Sequence, residues 1–160
     1  MTLSALARFA ADADELPTAV VEKAKACLLY ALAVGSAGVG RSQPAVAVRA
    51  FGADGGPATR FFDGAHCDAA TAAFCNGTLL HARTQDDAHP AGHVGAVVVS
   101  AALAVAETVG ANESDLVAAL VAGYEVALRI GRDHAADLSA RGFRTTPAYA
   151  AFGAAAAAGS

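Results

Sequence analysis

Charge is what this sequence has least of. Asp, Glu, Lys and Arg make up 16% of its 160 residues, against about 25% in an ordinary soluble domain. The 11 Lys and Arg are scattered and the net charge is −4. With no basic run to track a phosphate backbone, no nucleic-acid partner is expected. Long hydrophobic runs are missing too. The longest apolar stretches, residues 26–40 and 94–106, contain glycines and fall short of the roughly 18–20 residues that cross a bilayer, so no membrane span is expected. The opening residues carry acids early and no basic segment, which argues against a signal peptide. Cysteine is scarce: three residues, Cys27, Cys67 and Cys75, with no CxxC spacing. That argues against a disulfide framework and fits a cytoplasmic location. The three lie far apart among apolar or small residues, so buried structural thiols are expected rather than an iron–sulfur site. The sequence also lacks HExxH, GxSxG, a P-loop and GxGxxG.

What it has instead is alanine. Hydrophobic residues reach 55%, with runs such as AAAAAG near the end. Alanine is the best helix former and lets helices approach closely. One packed all-α domain is expected over residues 1–160, with some apolar surface meeting another chain. Leu3, Leu6, Phe9 and Ala10 recur at helical spacing behind Thr2 or Ser4 as a cap, and the pattern stops near Asp14. Pro17 suits the first turn of a second helix, whose face is Val20, Val21, Ala24, Cys27, Leu28, Ala31 and Leu32. Glycines 35, 38 and 40 are expected to end it. Residues 44–51 predict a short helix, ATRFFDG a short extended piece, and residues 68–81 a buried helix. TQDDAHPAGHVG breaks periodicity and reads as a loop held over or inside the core. An apolar helix resumes at residues 94–108 and is closed by Gly110. Asn112 and Asp115 have the spacing of a capping box for the next helix, in which Gly123 suggests close packing. Residues 133–145 are polar, and Thr146 and Pro147 open a last helix. That helix lacks a polar or basic last turn, so the fold is expected to continue or a partner to cover its end.

The chemistry is concentrated in residues 81–93. His81, Arg83, Gln85, Asp86, Asp87, His89 and His93 fall there, including three of the five histidines. Removing a proton next to a carboxylate needs a base, an acid for the leaving group and cations for the carboxylates. His, Asp and Arg supply those roles, and the ordinary titration of histidine near neutrality suits it to both directions of transfer. A plainer reading stands beside this one. Asp86 and Asp87 can cap the following turn and bond loop backbone, and His81 can bond a carbonyl at its helix end. His89 and His93 are four apart, as in a helical zinc site, but Pro90 and Gly92 lie between them. Asp86, Asp87 and His89 are a thin ligand set, so no metal is expected. His66 and His134 have no companions in sequence.

The string AAFCNGTLLHARTQDDAHPAGHVGAVVVSAALAVAE resembles the core signature of the MmgE/PrpD family. VAALVAGYEVALRIG, GFRTTPAYAAFGAAAAAG and the opening LARFAADADELPTAVVEKAKACLLYALAVGSAG resemble its neighbouring motifs, in order. The family includes 2-methylcitrate dehydratase, cis-aconitate decarboxylase and an iminodisuccinate epimerase. The resemblance implies a large helical domain, a smaller α/β lid domain, usually a homodimer, and an active site between the domains that works without a metal or organic cofactor. The family pattern H-x-x-D-[FY]-D-D-T, followed by H-P, is kept at His81, Asp86 and Asp87, and His93 aligns with the later active-site histidine. Thr84 stands where many members have aspartate, Ala88 where many have threonine, and Arg144 where the GFH motif has histidine. The variant resembles a distinct branch. By this resemblance the 160 residues are expected to be the front of the helical domain, with the lid absent.

Three functions are compatible with these residues. The first is a cofactor-independent lyase or isomerase for a small (poly)carboxylic acid, alone or as one subunit of a split enzyme. His93 is the general base or acid. Asp86 or Asp87 orients the histidines, with His81 as a further catalytic candidate. Arg83, Gln85, His89 and Arg144 are candidates for holding substrate. Its partners are a small carboxylate and a second copy or complementary chain. The second is a non-catalytic helical dimerisation or scaffold module. The third is an isomerase or cyclase of a hydrophobic metabolite.

Overall fold

The computed structural model describes residues 2–11, 15–52 and 55–160. Among them the chain forms eight helices and one small hairpin: α1 (Leu3–Ala11), α2 (Thr18–Gly38), α3 (Ser42–Ala50), β1 (Ala58–Arg60), β2 (Ala65–Cys67), α4 (Ala69–His81), α5 (Gly95–Val109), α6 (Glu113–Arg132), α7 (Ala135–Ala140) and α8 (Thr145–Gly159). None of these helices is long and apolar enough to cross a membrane. The expected end of the first helical pattern near Asp14 lies outside the described residues.

Local signals account for several helix ends. Thr2 Oγ1 accepts the Ala5 N–H at 3.3 Å at the start of α1. Pro17 precedes α2 as its N-cap residue. The Asp68 carboxylate accepts the Ala70 and Thr71 N–H groups that begin α4. Asn112 and Asp115 form the expected reciprocal capping box on α6. Gly110 closes α5 with φ +69°, a left-handed conformation that costs glycine little.

Helix α5 is the centre of the bundle, packed by α4 on one side and by α6 and α8 on the other. Val98, Val99 and Ala102 of α5, Leu120 of α6 and Ala150 of α8 are buried together in the main core. Burying each of those valines contributes about 1.5–3 kcal/mol. Helices α6 and α8 meet closely because two glycines face each other. A Cβ on Gly123 would lie 2.6 Å from Val98 Cγ1, and one on Gly153 would lie 2.6 Å from the Gly123 carbonyl oxygen.

Two expectations need correction. Gly35 does not end α2: it is buried inside the helix, which runs on to Gly38. A Cβ at Gly35 would lie 2.6 Å from Leu80 Cδ2, so glycine there admits α4 rather than stopping the helix. Residues 133–145 also contain α7, a short helix whose Ala135 is buried with Ala91 and Tyr149.

The extended piece expected in ATRFFDG is β1, paired antiparallel with β2 through Ala58↔Cys67, Thr59↔His66 and Arg60↔Ala65. Buried Asn76 of α4 rivets it in place, accepting the Phe61 N–H and donating to the Thr59 carbonyl, both at 2.8 Å. The buried Arg60 guanidinium bridges Asp63 at 3.0 and 2.7 Å and donates to the Phe51 carbonyl at 2.8 Å. Cys67 and Cys75 are buried and Cys27 is half-buried.

Candidate active site

Residues 82–94 connect α4 to α5 and lie over the core. The chain reverses just after α4. Thr84 takes φ +53°, a conformation that β-branched residues rarely adopt, and its N–H bonds back to the His81 carbonyl at 2.9 Å. That reversal returns Asp86 to His81. The Asp86 side chain is 1% exposed, against 47% for His81 and 32% for His93, so the carboxylate sits beneath two accessible imidazoles.

His81 Nδ1 lies 2.9 and 3.1 Å from the two Asp86 carboxylate oxygens. His93 Nδ1 lies 3.4 Å from the Asp86 carbonyl oxygen and 3.7 Å from Oδ1. The ring centroids are 5.7 Å apart, edge to face. An ionised carboxylate and a carbonyl only accept, so both contacts favour a proton on Nδ1. Each neutral ring then keeps its lone pair on Nε2, the nitrogen a base needs. Both rings line an open groove of about 510 Å³ between α4 and α5, where Thr78, Thr84 and Thr146 supply hydroxyls and Phe74 and Val97 an apolar wall.

The other residues singled out from sequence are divided. Asp87 turns away from the histidines and accepts the Gly95 N–H at 3.1 Å and the Tyr124 hydroxyl at 2.6 Å. For Asp87, therefore, the backbone-bonding alternative describes the geometry; for Asp86 it does not. Arg83 Nε donates to Gln85 Oε1 at 2.6 Å, and its Nη1 reaches the Ala37 carbonyl at 3.5 Å. The pair ties the loop to α2. His89 Nδ1 accepts the Ala91 N–H at 3.1 Å within a tight reversal against Gly92. Arg144 is the exposed N-cap residue of α8. None of Arg83, Gln85, His89 and Arg144 lines the groove. No cluster of three or more His, Cys, Asp or Glu suited to a metal occurs among the described residues.

Sequence reasoning missed three contributors. Thr146 Oγ1 accepts the His93 N–H at 2.9 Å. The Tyr30 hydroxyl donates to the Gln85 carbonyl at 2.6 Å. Tyr124 holds Asp87. Each is remote in sequence from the loop it supports, and a tyrosine in an apolar helix looks like ordinary core.

The model of the MmgE/PrpD N-terminal domain matches residues 4–160. The chain belongs to the MmgE/PrpD family. Neither a curated protein nor a solved structure matches it. The helical architecture is that expected of this family's N-terminal domain.

Proposed function

We propose that this MmgE/PrpD domain carries the proton-transfer site of a cofactor-independent lyase or isomerase for a small (poly)carboxylic acid. The observation that carries the reading is the buried Asp86 carboxylate beneath His81 and His93, both of which open onto the same groove. Family membership supports the reaction class by analogy.

The chemistry follows from the two rings. One imidazole Nε2 removes the proton from the carbon beside a carboxylate. The electron pair left behind forms the carbon–carbon double bond as a β-hydroxyl departs. The other imidazole, entering protonated, gives its proton to that oxygen and water leaves. Return of the first proton to carbon without elimination gives exchange or epimerisation. Asp86 stabilises an imidazolium and fixes which nitrogen carries the proton. The described groove lining holds no lysine or arginine, so in this reading a second copy, or a further segment in this or a complementary chain, covers the groove and supplies the counter-charge.

The test is proton exchange in D₂O followed by NMR with citrate, 2-methylcitrate and cis-aconitate. Exchange, dehydration or decarboxylation that His93→Ala abolishes supports the site. Turnover that survives in both His81→Ala and His93→Ala rules it out.

A second reading, a helical dimerisation module, is favoured by the exposed apolar surface of α2. Leu29 is 70% exposed, and Tyr30 and Leu32 are exposed beside it in sequence. Sedimentation of the wild type against Leu29→Glu tests it. A dimer that dissociates in the variant, in a chain without exchange activity, supports this reading over the first.

A further inference from the structure

Two adjacent carboxylates in this loop work on opposite sides of the chain. Asp86 faces His81 and His93. Asp87 points between the start of α5 and the middle of α6, where both its oxygens are taken, Oδ1 by the Gly95 N–H and Oδ2 by the Tyr124 hydroxyl. The fit is tight. A Cβ at Gly95 would run into the Asp87 carboxylate and the Tyr124 hydroxyl. Burial first, and the Asp87 charge second, push the Tyr124 phenol far above its ordinary range, so it keeps its proton and remains a donor. Burial likewise raises the Cys27 thiol, more than the nearby Lys23 lowers it, so the thiol brings no charge to the contact.

Tyr124 does not line the groove, yet it reaches the residue next to Asp86. Consecutive Cα atoms are about 3.8 Å apart, so anchoring the Asp87 carboxylate to α6 restricts where the Asp86 carboxylate can stand. The loop has no helix of its own to do this. We propose that Tyr124 is a positioning residue for the His81–Asp86–His93 site, acting through Asp87. The catalytic part of this inference rests on the proton-transfer reading above; the geometric part does not.

The experiment reads the imidazole nitrogens of the full chain by ¹⁵N NMR, which reports the tautomer of each histidine whether or not a substrate is known. The wild type is compared with Tyr124→Phe, Asp87→Asn, the double variant and Val126→Ala. Val126 is a buried residue of the same helix outside this contact. The expected result is a proton on Nδ1 of His81 and His93 in the wild type, and a shift toward the Nε2–H form in Tyr124→Phe and Asp87→Asn. The double variant adds nothing further, because both changes break one contact. Val126→Ala lowers the melting temperature and leaves the imidazole signals in place. Where Tyr124→Phe does not fold, Asp87→Asn decides. Unchanged imidazole signals in a folded Tyr124→Phe overturn the proposal, as does an equal shift in Val126→Ala, which makes the effect one of general loosening. With an exchanging acid in hand, Tyr124→Phe is expected to lower the rate at saturation roughly 10–100-fold with little change in half-saturation. If no acid exchanges, the imidazole signals still decide the role of Tyr124.

Discussion

The α5–α6–α8 core and the 82–94 loop are built on opposite principles. In the core, Val98, Leu120, Ala150 and the Gly123–Gly153 contact meet through apolar atoms and helix backbone. Its strength is burial, and its tolerance is set by volume. In the loop almost no backbone is regular, and position comes from individual hydrogen bonds: Tyr30 to Gln85, Tyr124 to Asp87, Thr146 to His93. Apart from Ala91 and Val94 such a segment buries few apolar side chains, but it places a carboxylate under two imidazoles. Core substitutions should therefore change how much protein is folded, and loop substitutions what the folded protein does.

The largest expected effect falls on the loop side. His93→Ala should lower proton exchange about 10²–10⁴-fold while the urea midpoint stays close to the wild type. A large drop in that midpoint would show the loop to be part of the stabilising core and erase the contrast. Next comes Gly153→Ala. Its Cβ meets a carbonyl oxygen that cannot move without the helix, so a net loss of about 1–3 kcal/mol is expected in urea denaturation, with exchange per folded molecule unchanged. Asn112→Ala removes one arm of the α6 capping box and should cost about 1 kcal/mol, far from either histidine. The smallest effect belongs to the hairpin. The Arg60 guanidinium holds the Asp63 carboxyl below its ordinary range. Its stabilising contribution is therefore complete above the ordinary carboxylate pKa and is lost as pH falls through the lowered value. Asp63→Asn should flatten that acid limb in a pH series of melting temperatures, while leaving the neutral-pH imidazole signals alone.

How much was legible follows the same division. The α6 capping box, the Gly110 stop and the apolar run of α5 are local signals, and the structure contains all three. The chemical loop was legible for a different reason: His, Asp and Arg stand out against alanine and valine. What misled was glycine in α2. Gly35 carries the same letter whether it stops a helix or admits a neighbour, and its neighbour Leu80 is remote in sequence. Arg83 and Arg144 were legible as cations but not as to direction. One is tied to Gln85 and the other is exposed at a helix cap, and neither lines the groove. Tyr124 gave no signal, because its meaning depends on which residue crosses its helix.

The sequence by itself determined the helical class, several helix ends, the family and the segment that holds the titratable groups. These depend on propensity, period and composition, which act over a few residues at a time. Only the tertiary structure decided which of two neighbouring aspartates faces the histidines. In an irregular loop, side-chain direction follows the backbone path. That path is held here by Tyr124, 37 residues from Asp87, and Thr146, 53 residues from His93.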